Sequence, residues 1–153
     1  MDKKVFTLAI LHDTEKILLG LKKQGFGIGK WNGFGGKVEE GESIGEAALR
    51  EVKEEAGVSL QALDKRGVIV FHFEGKSQAL EVHIFSAFYS GGFTKSEEME
   101  PKWFSLGDIP YDTMWPDDIL WLPLLLAGKN FEGEVFFKDM ETVLRHTIQE
   151  KSL

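Results

Sequence analysis

Cysteine is absent from the 153 residues, which excludes disulfides and thiolate metal sites and permits a reducing compartment. No apolar run reaches the length of a membrane span: the longest, Ile119 to Ala127, covers about half of one and contains Pro123. The opening MDKKVFTLAIL has a basic start but too short an apolar run, and no small-residue cleavage site, for an export signal; it reads as a strand. Positive charge is also short. With 18 Lys and Arg against 25 Asp and Glu, the net charge is −7, which argues against a nucleic-acid polymer as partner. No repeat, low-complexity tract or interdomain linker interrupts the chain. Hydrophobic content of 42% suits one domain over residues 1–153 with a substantial core and no membrane partner.

The most informative stretch runs from Gly36 to Val58, GKVEEGESIGEAALREVKEEAGV. Ser43 followed by Glu46 is a capping box, and Gly57 can take the left-handed conformation that closes a helix. The spacing therefore predicts a helix of roughly 13 residues, about 20 Å long, starting near Ile44. At about 100° per residue, Glu51, Glu54 and Glu55 fall on one narrow face. Leu49, Val52, Ala56 and Gly45 form an apolar stripe expected to pack on a sheet. Ala47 and Ala48 flank the acids and leave room for a ligand. Three like charges within one turn repel unless a cation neutralises them, and hard oxygen donors suit Mg²⁺ or Mn²⁺. The alternative is a solvated glutamate-rich surface.

The length of the pattern favours the metal. Gly36, Glu42, Arg50, Glu51, Val52, Glu54, Glu55, Gly57 and Val58 match every position of the Nudix box, G-x5-E-x7-R-E-U-x-E-E-x-G-U, where U is apolar. Seven fixed positions at roughly 6% usage each agree by chance on the order of once in 10⁸ to 10⁹ starting points. The stretch thus resembles the Nudix hydrolases, which act on nucleoside diphosphates linked to a further group.

Upstream, Val5 to Leu11 and Ile17 to Lys22 read as a hairpin. Lys22 to Lys37, KKQGFGIGKWNGFGGK, carries four lysines and no acids, so its amides and ammonium groups could meet phosphate; a flexible surface loop is the alternative for residues 24–29. Neither a dinucleotide fingerprint nor a P-loop is present. Downstream, Gly67 to Phe73 and Leu80 to Tyr89 read as strands around Glu74 to Ser77, with Phe71 and Phe73 on one face and His72 on the other. The two phenylalanines fit either core or pocket. His72 and His83 are expected on strand surfaces. Lys102 to Leu106 reads as a short strand, Met114-Trp115-Pro116-Asp117-Asp118 as a helix start, and Phe131 to Lys138 with Thr142 to Ile148 as a closing hairpin. Trp115 could stack on a purine while the two aspartates serve its hydrogen-bonding edge; core packing and helix capping are the alternatives.

WNGFGGK (Trp31 to Lys37), GFG (Gly25 to Gly27), SEEME (Ser96 to Glu100) and MWPDD extend the resemblance, over nearly the whole chain, to one branch of the Nudix family. That branch, the animal relatives of MutT, hydrolyses oxidised purine nucleoside triphosphates. The resemblance implies an α/β fold, an α/β/α sandwich with a mixed central sheet carrying the Nudix helix. It implies Mg²⁺, with Mn²⁺ able to substitute, on Glu51, Glu54, Glu55, Glu98 and the Gly36 carbonyl. Arg50 would orient the carboxylates and Glu42 would support the helix start. The base-binding set would comprise Thr7, Lys22, Asn32, Phe34, Gly35, Gly36, Lys37, Trp115, Pro116, Asp117 and Asp118, and Phe26, Phe71 and Phe73 are further candidates for contact with the substrate. The resemblance further implies a monomer in the cytoplasm, with mitochondrial and nuclear pools. Other nucleoside diphosphate-linked substrates (a dinucleoside polyphosphate, an ADP-sugar, a methylated cap) and a module that binds without turnover are the competing readings.

Overall fold

A computed structural model describes residues 3–151. Its strands are β1 (Lys3–His12), β2 (Lys16–Lys22), β3 (Trp31–Asn32), β4 (Asp64–Phe73), β5 (Ala79–Phe88), β6 (Met99–Ser105), β7 (Asn130–Asp139) and β8 (Thr142–Lys151). Two α-helices accompany them, α1 (Ile44–Ala56) between β3 and β4 and α2 (Asp118–Leu126) between β6 and β7. The strands form one sheet in the order β3-β2-β1-β5-β4-β7-β8, with β6 on the other side of β2. It is mixed: β1 runs parallel to β5 and β4 to β7, and the remaining pairs are antiparallel.

Alternation along the strands gives the sheet two apolar faces. In β1, Ala9 and Leu11 face α1 with Ala48, Val52 and Ala56, whereas Ile10 faces α2 with Trp121, Leu122 and Leu125. One helix on each face completes an α/β/α sandwich, as expected. Among the described residues no helix is long and apolar enough to cross a membrane.

The hairpin between β1 and β2 pairs only at Leu11–Leu18 and His12–Ile17. Beyond that β2 turns to β6, and residues 34–38 take its place along β1. Ala9 N–H donates to the Phe34 carbonyl at 2.7 Å, Thr7 N–H to that of Gly36 at 2.9 Å, and Val38 N–H to that of Val5 at 3.0 Å. These residues are a strap leading directly into α1. Two glycines allow it to lie so close, since a Cβ on Gly35 would collide with the Thr7 carbonyl and one on Gly36 with the Glu51 carboxylate.

Candidate active site

Helix α1 starts and stops where the sequence places it. Ser43 Oγ accepts from Glu46 N–H at 3.1 Å, the Glu46 carboxylate accepts from Ser43 N–H at 2.7 Å, and Gly57 closes the helix at φ 68°. The roll of the helix differs from the expected one. Its buried residues are Ala47, Ala48, Val52, Glu55 and Ala56, while Gly45 is exposed and Leu49 half-buried. The cause is Glu55, whose Oε1 accepts the Gly35 N–H at 2.9 Å and so draws the acidic edge against the strap. Ala47 and Ala48 are fully buried: their small side chains let the helix approach the sheet and leave no room for a ligand.

The box carboxylates consequently sit in three different environments. Glu54 is mostly exposed, Glu51 is largely covered and Glu55 is 4% exposed. Arg50 ties Glu51 and Glu54 to Glu42: its Nη1 donates to Glu51 at 2.7 Å and to Glu54 at 3.2 Å, and its Nη2 donates to Glu42 at 2.7 Å and to the Lys37 carbonyl at 3.2 Å. Held by that guanidinium, the Glu42 carboxyl is lowered to about 2. Burial pushes Glu51 up against the opposing pull of Arg50. Glu55 is pushed to about 8, first by burial and then by the charges of Glu51 and Glu98; the Gly35 N–H and Lys22 pull the other way. Glu98 enters from the loop before β6, with Lys22 Nζ 3.4 Å from its carboxylate.

Among the described residues no three of these acids converge into a ready-made cage. A hard, hydrated dication does not require one, since it keeps several waters and uses one or two carboxylates. The donor set fits such an ion. It is all oxygen, two of its carboxylates are raised by burial, and Gly36, whose carbonyl accepts from Thr7 N–H, packs its α-carbon against the Glu51 carboxylate.

Glu55 gives a pH dependence whose sign follows from its position. Unfolded, it ionises near 4.5; folded without metal, it holds its proton to about 8. Its contribution to stability is therefore complete below 4.5 and is lost as pH rises through 8. Thermal melting of chelator-treated protein is expected to fall more between pH 5 and 9 in the wild type than in Glu55→Gln, which keeps the acceptor for Gly35. Equal pH dependence in both would contradict this burial effect.

The second half of the site lies between β3 and α2. Trp115 meets Phe26 with ring centroids 5.1 Å apart, Phe73 at 6.4 Å and Phe137 at 5.8 Å, while Phe71 stacks on Phe137 at 6.0 Å. Both Phe71 and Phe73 are part-buried against the α2-side core, so each serves as core and as wall. Phe26 stands 62% exposed on the glycine loop. Asn32 lies in β3 opposite Gly20, and its Oδ1 accepts the Gly33 N–H at 2.9 Å.

Asp117 and Asp118 are both 3% exposed. Pro116 and Asp117 form a turn ahead of the helix, so α2 begins two residues later than the motif suggests. Asp117 stands at the N-cap position but makes no side-chain cap bond; its Oδ2 accepts from Trp121 Nε1 at 2.8 Å. Asp118 Oδ2 is buried without a hydrogen-bond partner. Burial raises both carboxyls, Asp117 to about 6 and Asp118 further, because the neighbouring Asp117 adds its charge. An orphaned buried acceptor costs about 1–3 kcal/mol, so a donor on a ligand has an evident place here.

Several expected substrate residues sit elsewhere. Phe34 is fully buried in the α1-side core because the strap turns its side chain inward. Thr7 is buried in β1 two residues from Ala9, so alternation points it to the α1 face, away from Trp115. Lys22 reaches Glu98 and the carboxylates instead of the aromatic cleft. Lys37 is exposed and offers its carbonyl to Arg50. His83 is buried, not on the strand surface, with Nε2 2.8 Å from Glu81; His72 pairs with Glu134 at 2.7 Å. Trp121, four residues after Asp117 and one helical turn away, was legible by spacing. Lys30, buried beside Trp115, was not singled out among the four loop lysines.

Fold and carboxylate face together define a hydrolase of the NUDIX class: residues 2–125 match the NUDIX domain, and the chain belongs to that family. It is similar to the oxidized purine nucleoside triphosphate hydrolase of Mus musculus, with 49% identity over 96% of this chain and 95% of the mouse protein. The Danio rerio protein of the same name is 47% identical over the same shares. Among solved structures, a MutT protein from Bacillus halodurans superposes with a TM-score of 0.84 at 25% identity, covering 95% of this chain and 97% of its own.

Proposed function

We propose that this protein hydrolyses oxidised purine nucleoside triphosphates, such as 8-oxo-dGTP and 2-hydroxy-dATP, to the monophosphate and pyrophosphate. It thereby clears damaged precursors before they enter DNA. The observation that carries the reading is the buried Asp117–Asp118 pair, with an acceptor left without a donor, beside Trp115. The names and near-full-length similarity of the mouse and zebrafish relatives support it.

Strand β3 and the strap that follows it join the two halves: Trp31 bridges Met114 next to Trp115, and Gly35 and Gly36 meet Glu55 and Glu51. A purine held against Trp115 by the aspartates, with Asn32 at its edge, directs its phosphates along the strap to the glutamates. Glu51, Glu55, Glu98 and the Gly36 carbonyl are the groups that hold Mg²⁺, or Mn²⁺ in its place, with Glu54 at the rim. When bound, the metal neutralises charge on the phosphate oxygens and acidifies a water. Arg50 fixes Glu51 and Glu54, and Glu51, with Glu98 as second candidate, accepts the proton of the attacking water. The water oxygen joins the β-phosphorus and the bond from that phosphorus to the α,β-bridging oxygen breaks. The protein acts as a monomer on a small-molecule substrate.

A guanine-type edge offers two donors, whereas an adenine-type edge offers one donor and one acceptor. Two close buried carboxyls sharing one proton can serve both, since ionising both is unfavourable. A kcat/KM panel of oxidised, methylated and normal purine triphosphates, a dinucleoside polyphosphate and an ADP-sugar tests the substrate. Oxidised purines are expected to lead it and chelator to abolish turnover; an ADP-sugar or dinucleoside polyphosphate in first place would refute the reading. In ¹⁸O-water the label is expected in pyrophosphate, and label in the monophosphate would reject attack at the β-phosphorus.

A further inference from the structure

Lys30 is the only buried lysine among the described residues, at 8% exposure. Its Nζ lies 2.8 Å from the carboxylate of Glu141, in the turn joining β7 to β8, and 5.4 Å from the centroid of Trp115. A cation at that range is attracted to the indole face. The loop that carries it is internally fixed: Lys30 N–H donates to the Gly27 carbonyl at 3.1 Å, Gly29 N–H to that of Lys22 at 2.9 Å, and Lys22 N–H to that of Lys30 at 3.0 Å. The same loop encloses Trp115. Phe26 meets its ring, a Cβ on Gly27 would stand 3.3 Å from its Nε1, and Trp31 bridges its neighbour Met114. On the far side the turn is set by the Glu141 N–H donating to Asp139 Oδ1 at 2.9 Å.

We propose that Lys30, clamped to Glu141, is a specificity-determining residue of the purine site: it fixes the plane of Trp115 and sets which base edge the two aspartates favour. The inference rests on the functional reading above. The Trp115 carbonyl accepts the Asp118 N–H at 3.0 Å, so the ammonium over the indole stands near the aspartate pair, where its charge favours the ionised form of Asp118 and that of Asp117 opposes it. An aspartate pair kept more ionised accepts from two donors, the pattern of a guanine-type edge. Removing the ammonium leaves the proton more firmly on the pair, which then donates once and accepts once, the pattern an adenine-type edge requires. Lys30 therefore tilts a dual-specificity site toward oxidised guanine. The β7–β8 turn, far in sequence from the Nudix box, thereby becomes part of substrate selection.

The test is steady-state kinetics of the full chain with 8-oxo-dGTP and 2-hydroxy-dATP, comparing wild type, Lys30→Met, Lys30→Arg and Glu141→Gln. Lys30→Met is expected to raise the adenine-to-guanine ratio of kcat/KM by about tenfold, chiefly through KM, the size of one altered hydrogen-bonding contact. Lys30→Arg keeps the charge and should restore the ratio to within about twofold. Glu141→Gln removes the counter-charge and keeps the ammonium, so it should shift the ratio the opposite way, toward oxidised guanine, by about two- to threefold. Glu141 is exposed, so this last variant leaves the interior intact and decides the matter if Lys30→Met does not fold. A folded Lys30→Met with an unchanged ratio, or an unchanged ratio in Glu141→Gln when Lys30→Met is lost, overturns the inference alone. Wild type hydrolysing neither nucleotide overturns the functional reading and the inference with it.

Discussion

Glu51→Gln is expected to lower kcat for the oxidised purine triphosphate by about 10²- to 10⁴-fold with little change in KM, the range for loss of a positioned proton acceptor. The side chain is well placed for that role. It is largely shielded from solvent, held by Arg50 Nη1 at 2.7 Å and pressed against Gly36, where any larger residue would displace it. Glutamine preserves the shape and keeps an oxygen for Arg50, so melting temperature should stay near that of the wild type. The companion variant Glu98→Gln separates the two candidate bases. Glu98 is half-exposed and, among the described residues, anchored only by Lys22 at 3.4 Å, so its loss is expected to cost less. The reverse ranking, with Glu51→Gln nearly active and Glu98→Gln inactive, would move the proton acceptor to the loop. Stopped-flow or end-point assay of pyrophosphate release reads either outcome.

Asp118→Asn is expected to lower kcat/KM for 8-oxo-dGTP by about 10- to 100-fold while 2-hydroxy-dATP stays within about threefold. An amide at this position presents one fixed donor and one fixed acceptor. It suits an adenine-type edge but sets an N–H against an N–H of a guanine-type edge. Asp117 cannot compensate freely, because its Oδ2 is engaged by Trp121 Nε1 at 2.8 Å. Burial at 3% exposure makes the mismatch costly, since no water can intervene. The same substitution at Asp117 should also lower activity, and Asp117→Asn with wild-type rates on both nucleotides would mean that the pair does not read the base.

Local chemistry made α1 legible, because a capping box and a terminal glycine act within a few residues of themselves. The roll of that helix was not legible. Apolar periodicity centred its buried face on Val52 and Ala56, whereas the bond from Gly35 to Glu55, twenty residues apart in sequence, turns a carboxylate inward. Strand β3 escaped detection because two residues carry no periodicity, yet it brings Asn32 beside the MWPDD segment. The aspartates were visible as an adjacent pair after Trp115, while their lack of capping bonds and their contact with Trp121 needed the fold. Lys30 looked like any loop lysine, since Glu141 lies 111 residues away and only the return of β7 and β8 to the same end of the sheet pairs them. Thr7 and Phe34 show the converse. Their places in the expected substrate set carried no information on which way the strand and the strap direct their side chains.

The proposed reaction requires a divalent cation gathered by the Nudix glutamates at the phosphate end of a bound purine nucleotide. Anomalous diffraction from crystals soaked with Mn²⁺ and a non-hydrolysable oxidised purine triphosphate tests this most directly. Manganese peaks within coordination distance of Glu51 or Glu55 and of a phosphate oxygen, with the purine against Trp115 and its edge toward Asp117 and Asp118, are the expected result. Manganese bound away from these glutamates, or the nucleotide lying elsewhere on the sheet, would contradict it.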